Sequence, residues 1–166
     1  MLSTICFVLK INLMNTKALA SSYTPQVQTT DYTCAPMCLL NILRMKGDLS
    51  YTEQELADMC GVTEVGTDNS ALLNVAERIG LQVVEEKRNA EMADIERHID
   101  SGGFVIVNYF LTSRGFGHFS VVISYDDEAL YFADSYVGHL RIEKEHFYPL
   151  WHDTDKTILI WFVALK

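Results

Sequence analysis

Between Ala35 and Lys46 the apolar residues Met37, Cys38, Leu39, Leu40, Ile42, Leu43 and Met45 occupy every side of a helical wheel. A helix that is apolar all round is a buried one. The segment therefore predicts a central helix, with Gly47 suited to its C-terminal cap. Thr52 followed by Glu55 has the form of a capping box and opens a helix to Cys60 that stops at Gly61. Ser70 is placed to cap a third helix, with Leu72, Leu73, Ala76 and Ile79 at one-face spacing and Gly80 at its end. Met92, Ile95 and Ile99 mark a fourth, closed by Gly102 and Gly103, where a cap and a turn account for both glycines.

Strand texture takes over later in the chain. Leu81 to Val84 and Phe104 to Phe110 read as strands, the second continuously apolar and so central. Phe119 to Tyr125 and Leu130 to Asp134 flank Asp126-Asp127-Glu128-Ala129, a good hairpin connection. His139 to Ile142 and Thr157 to Leu165 supply further strands, with Glu143 to Leu150 as a short helix between them. Helices clustered early and antiparallel strands late indicate an α+β domain.

Length and composition narrow the function classes. The chain has 166 residues, room for one domain (residues 23–166) behind an N-terminal tail (residues 1–22). Apolar residues at 49% and charged residues at 21% exclude a disordered chain. Thirteen Lys plus Arg against 22 Asp plus Glu give a net charge of −9. That balance argues against nucleic acid or an anionic membrane as partner and favours a cationic peptide. No window approaches the roughly 18 consecutive apolar residues of a spanning helix. In the tail, the apolar run Ile5 to Leu9 is short, Lys10 interrupts it, and Ala18-Leu19-Ala20 has the small-x-small form of a cleavage site. Two readings stay open there: a weak secretion signal, or a true start at Met14.

Cys6, Cys34, Cys38 and Cys60 do not resemble a disulfide framework, which points to reduced thiols in a cytosol. A periplasmic or secreted location goes with the tail being a signal. Cys34 and Cys38 share a helix face, but no Cys-x-x-Cys or His-x3-His spacing completes a zinc site. Neither a metal nor a cofactor is expected.

Cys34 follows the turn-rich stretch Thr29 to Thr33 and opens the buried helix, where Pro36 fits the first turn. A thiol there feels the positive end of the helix macrodipole, which favours the nucleophilic thiolate. A small core residue is the plainer reading. His118 strengthens the nucleophile reading: it starts an apolar strand directly after Arg114-Gly115-Phe116-Gly117, whose glycines let a substrate approach. Asp134 ends the next strand, so a hairpin would bring its carboxylate near His118. It could accept from one imidazole nitrogen and leave the other to the thiol, or it could simply begin the turn Asp134 to Gly138. Gln28 lies six residues before Cys34 (34 − 28), from where its amide could donate to an oxyanion beside the Cys34 backbone amide. His98, His139, His146 and His152 have no matching acid partner and read as surface residues.

The run Gln28-Thr29-Thr30-Asp31-Tyr32-Thr33-Cys34-Ala35-Pro36-Met37-Cys38-Leu39 resembles the N-terminal motif of the bacteriocin-processing cysteine peptidases, family thirty-nine of that class. Those are double-glycine leader peptidases with a papain-like fold. Gly117-His118-Phe119-Ser120-Val121-Val122 is similar to the family's His-Phe-Val-Val strand, and Asp134 falls 16 residues after His118 (134 − 118), close to the family's Asp. Phe147-Tyr148-Pro149-Leu150-Trp151 is similar to the aromatic C-terminal segment of those domains. The resemblance runs from about Val27 to Trp151. It implies Cys34 as nucleophile, His118 as general base and acid, Asp134 as orienter and Gln28 as oxyanion donor. Ala35 stands where the family has Gly after the nucleophile, and Ser135 where it has Pro after the Asp.

Classical members form the N-terminal part of an exporter. This chain has no Gly-x4-Gly-Lys-Ser/Thr phosphate loop, so an exporter would be a separate partner. The leading reading is a stand-alone cysteine peptidase acting on a peptide or protein substrate. A cell-wall peptide amidase and a non-catalytic peptide-binding module of peptidase shape are its rivals.

Overall fold

The computed structural model describes residues 22–113, 115–152 and 161–166. The expectations for the N-terminal tail up to residue 21 lie outside the described residues.

Helix α1 (Cys34–Met45) organises the first half of the chain, and every one of its residues except Arg44 is buried. Arg44 leaves the core at the last turn, where its guanidinium donates to the carbonyls of Asp48 (2.7 Å) and Tyr51 (2.5 Å). Gly47 follows at φ +80°, a left-handed conformation that glycine adopts without a Cβ clash. Helix α2 (Glu53–Cys60) opens on the expected capping box: Thr52 Oγ1 accepts from the Glu55 N–H, and the Glu55 carboxylate accepts from the Thr52 N–H at 2.8 Å. Helix α3 (Asn69–Arg78) corrects one expectation, because Asp68 rather than Ser70 is its N-cap. Capping position follows the backbone: Asp68 is extended (φ −71°, ψ 146°), while Ser70 already lies inside the first turn.

Among the described residues the sheet has six strands in the order β1-β6-β2-β3-β4-β5, each pair antiparallel. They are β1 (Val83–Arg88), β2 (Phe104–Leu111), β3 (Phe116–Tyr125), β4 (Ala129–Asp134), β5 (Gly138–Glu143) and β6 (Trp161–Leu165). The continuously apolar β2 is central, as its composition requires, between β6 and β3. β1 differs from the expected Leu81–Val84: it begins at Val83 and runs on through four charged residues. As an edge strand it alternates half-buried and exposed positions: Glu86 and Arg88 are exposed, while Glu85 and Lys87 are half-buried and pair with His98 and Asp94 of the neighbouring helix. Of the segment Thr157 to Leu165, the part from Trp161 is β6 and residues 157–160 lie outside the described residues.

Helices cover both faces of the sheet, not one. Successive β2 side chains alternate, with Phe104 and Ile106 packing among α1, α2 and α3, and Val105, Val107 and Tyr109 entering a second core. That second core holds Ile95 and Ile99 of α4 (Met92–Asp100) and Phe147 and Trp151 of α5 (Lys144–Trp151). The Trp151 indole N–H donates to the Trp161 carbonyl at 3.2 Å, which satisfies a buried donor and ties α5 to β6. Among the described residues no helix is long and apolar enough to cross a membrane.

Candidate active site

Cys34 is the first residue of α1 and only 7% exposed, with its accessible side lining a cleft of about 430 Å³. The turn that delivers it is fixed from α2: a single oxygen of Glu53 accepts from the Thr29 N–H (3.0 Å) and from the Thr33 hydroxyl (2.6 Å). Thr33 is the N-cap but makes no side-chain cap bond. With Pro36 lacking an N–H, the first-turn amides of Cys34 and Ala35 are not consumed by a capping side chain.

His118 stands opposite Tyr109 in the β2–β3 ladder, and Asp134 stands opposite Ser120 in the β3–β4 ladder. The two side chains therefore occupy diagonal positions on one face of the hairpin, and His118 Nε2 meets Asp134 Oδ2 at 2.8 Å. The other Asp134 oxygen, Oδ1, accepts from the backbone N–H groups of Tyr136 (2.8 Å) and Val137 (3.1 Å). One carboxylate thus both shapes the turn and holds the imidazole. Tyr136 stacks on the His118 ring with centroids 4.8 Å apart, and Tyr109 meets it edge-on at 5.5 Å. Between these rings His118 is 1% exposed.

Burial works against a charged imidazole, but hydrogen bonding to Asp134 and to Cys34 outweighs it and raises His118 from 6.5 to about 9. Asp134 occupies Nε2, so the buried second ring nitrogen, Nδ1, is the one left to the thiol. Asp134 is pushed up by burial, but the His118 ring and the two turn amides prevail and hold it below the ordinary carboxylate range. Burial, with Asp134 next, raises the Tyr109 hydroxyl far above its usual range. Burial likewise pushes Cys38 well up, reinforced by Cys34 and Asp134, and Cys60 to about 11.

Gln28 reaches the site through its backbone: its N–H donates to the Ser135 carbonyl at 2.7 Å. Its amide Nε2 donates to the Thr30 carbonyl, and Oε1 is buried without a partner. A primary amide carries two N–H bonds, so one remains for another acceptor. The bond to Ser135 uses a backbone carbonyl, so Ser in place of Pro at that position keeps it.

The approach segment is held by a residue that sequence reasoning missed. Asn41 is fully buried in α1, where its Oδ1 accepts from the Tyr23 hydroxyl (2.7 Å) and the Gln26 N–H (2.9 Å). Its Nδ2 donates to the Gln26 carbonyl at 3.1 Å. A single amide in a helix apolar on every side was the available signal. The histidines need one correction too. His98 is buried and its Nε2 pairs with Glu85 at 2.7 Å, because β1 brings a carboxylate from 13 residues away. His139 and His146 are exposed, and His152 is half-buried with Nε2 on the Ala90 carbonyl. Glu143, Glu145 and His146 set possible ligand atoms within 4.8 Å of one another on the surface, outside the cleft.

Residues 22–161 match the model of the Peptidase C39 family. The chain is 32% identical over 122 residues to an uncharacterized protein of Methanothermobacter thermautotrophicus, covering 73% of this chain and 78% of that one. Its fold superposes on the peptidase domain of Streptococcus ComA, a bi-functional ABC transporter involved in a quorum sensing pathway, with TM-score 0.68 and 19% identity. That likeness covers 86% of this chain and 97% of the domain. It also superposes on a double glycine motif protease from an AMS/PCAT transporter, solved in complex with the leader peptide, with TM-score 0.62 and 18% identity. There 87% of this chain and 90% of the protease are covered. At such identities the likeness is one of fold, the papain-like α+β fold expected from the motifs. With a family match that spans most of its length, this chain belongs to the Peptidase C39 family.

Proposed function

We propose that this chain is a cysteine peptidase that hydrolyses a peptide amide bond through a thioester on Cys34, with leader-type peptides as its substrates. The observation that carries this reading is the buried His118–Asp134 pair set beside a cysteine at a helix start. The peptide-bound state of the double glycine motif protease supports a peptide as substrate.

In this reading the Cys34 thiol gives its proton to His118 Nδ1, and Asp134 compensates the imidazolium charge from the Nε2 side. The sulfur attacks the carbonyl carbon, and the carbonyl electron pair moves onto oxygen. The Cys34 backbone N–H and the free Gln28 amide N–H receive that oxyanion. Collapse expels the amine, which takes the proton back from His118, and leaves a Cys34 thioester. Water then attacks the thioester with His118 as base. The carboxylic acid departs and the thiol is restored. Asp134 stays ionised throughout.

A mechanism-based thiol probe followed by mass mapping tests the reading. Cys34 is expected to be labelled well before Cys38 and Cys60, which are buried and held protonated. Equal labelling of all thiols in the folded protein would remove Cys34 as an activated nucleophile.

A further inference from the structure

The cleft beside Cys34 carries polar atoms that the proposed hydrolysis does not use. Asn108, on β2, is 9% exposed and lines the cleft. Its Nδ2 donates to Asn69 Oδ1 at 3.5 Å, which sets the amide so that Oδ1 is the free end, and this oxygen has no partner. Thr67, in the loop before α3, also lines the cleft and has a buried hydroxyl without a partner. Buried acceptors are seldom left unmet unless a ligand completes them.

Charge and shape around these two oxygens are specific. Among the described residues lining the cleft there are two acids, Asp31 and Glu64, and no Lys or Arg. Glu64 sits in a tight turn closed by reciprocal backbone bonds between Thr63 and Gly66 (3.1 and 2.9 Å). The same turn holds Val65 98% exposed at the rim, while Phe116 across the cleft is 41% exposed. An apolar rim over a floor of acceptors and carboxylates suits a side chain with a long hydrocarbon stem and a donor-rich cationic head. An aliphatic side chain would leave the acceptors unmet, and an acidic one would face like charge. Arginine fits better than lysine, because its planar guanidinium offers five donors and can serve several acceptors at once.

We infer that this cleft is a specificity subsite for an arginine side chain next to the scissile bond, read by Asn108, Thr67 and Glu64. The inference rests on the peptidase reading of the cleft, and it names the substrate class.

The test uses blocked peptides containing Gly-Gly that differ only in arginine or citrulline, its neutral isostere, at each of the two positions that follow the second glycine. Two quantities are measured: kcat/KM with the wild-type protein and equilibrium binding to the Cys34→Ala protein. At one position arginine should be preferred over citrulline by about 10- to 100-fold, the discrimination expected of charge-assisted hydrogen bonds. Glu64→Gln, an exposed change that leaves the core intact, should reduce the ratio several-fold, and Glu64→Lys should reverse it. Asn108→Asp should raise the ratio and Asn108→Leu should lower it. Equal turnover of both peptides at every position, or a ratio indifferent to Glu64, would overturn the subsite while leaving the peptidase reading intact. Preferential binding of the arginine peptide by Cys34→Ala protein, with no cleavage by the wild type, would uphold the subsite and sink the peptidase reading.

Discussion

Asp134→Asn isolates the group on which the proposed chemistry most depends. The substitution keeps the size of the side chain and removes its charge. To go on accepting from the Tyr136 and Val137 amides, the new oxygen must stay in the Oδ1 position, which turns the amide nitrogen toward His118 Nε2. Nε2 must then accept, so the imidazole proton moves to Nδ1, the nitrogen that the thiol needs free. The rise of His118 from 6.5 to about 9 corresponds to about 3 kcal/mol in favour of the charged ring. Without the Asp134 carboxylate, Cys34 alone is left to oppose burial, and the ring should titrate well below its wild-type value of about 9.

Together, the wrong tautomer and the lost charge should lower kcat by about 10²–10⁴, as the equivalent change does in a serine triad. Cys34→Ala and His118→Ala should abolish turnover outright. The sign in pH follows from the same pair. A raised imidazole contributes stability that is full below about 6.5 and lost as the pH climbs through about 9. A depressed carboxylate contributes above its ordinary value of 3.8 and is lost as the pH falls below it. The assay is kcat/KM against pH on a fluorogenic peptide, with the His118 ring followed by NMR titration. The alkaline limb should lie near pH 9 in the wild type and move to lower pH in the variant. An unmoved limb with kcat within tenfold of wild type would refute the reasoning.

Gln28→Ala should cut kcat by about 10²–10³ with little change in KM, while Gln26→Ala, which touches Asn41 through backbone atoms alone, should be neutral in the same steady-state assay. Equal damage from both would mean that the Gln28 amide has no special role. Asn41→Ala removes three hydrogen bonds and should cost about 2–3 kcal/mol in urea unfolding, with kcat falling as Gln28 loosens; an unchanged midpoint would show that the clamp contributes nothing. Trp151→Ala empties the second core and should cost about 3–5 kcal/mol by the same measurement, and a loss under 1 kcal/mol would contradict its full burial.

Where the chain repeats one simple physical demand, its structure was legible. The all-apolar stretch after Cys34 had to be a buried helix, Thr52 and Glu55 had to cap, and the segment between Tyr125 and Leu130 had to turn. The His118–Asp134 contact needed more than hairpin pairing: the register at the turn sets Ser124 opposite Tyr131, and a shift of one residue between Val122 and Ser124 places Asp134 opposite Ser120, on the face of His118. The illegible features all depend on non-local neighbours. Glu85 to Arg88, beyond the expected strand Leu81 to Val84, carry no strand signal until β6 supplies their ladder. His98 looks like a surface residue until β1 delivers Glu85. Asn41 and Asn108 are single amides in apolar elements, and their partners Gln26 and Asn69 lie 15 and 39 residues away. Local periodicity carries no information about a partner that the fold must first bring near.

The contact between the Tyr136 hydroxyl and the Asp31 carbonyl (2.7 Å) spans 105 residues of chain, and the bond from Gln28 to Ser135 is of the same kind. Cys34 and His118 therefore come from parts of the chain that are far apart in sequence. During synthesis the thiol emerges long before the β3–β4 hairpin that carries the imidazole and its carboxylate. Closing so long a loop is entropically costly and late, since nothing offsets it until the sheet itself is paired. An unfinished or partly unfolded chain carries an ordinary cysteine. On the proposed reading of the site, competence to cleave would appear only with the completed fold, so the architecture itself would act as a timer.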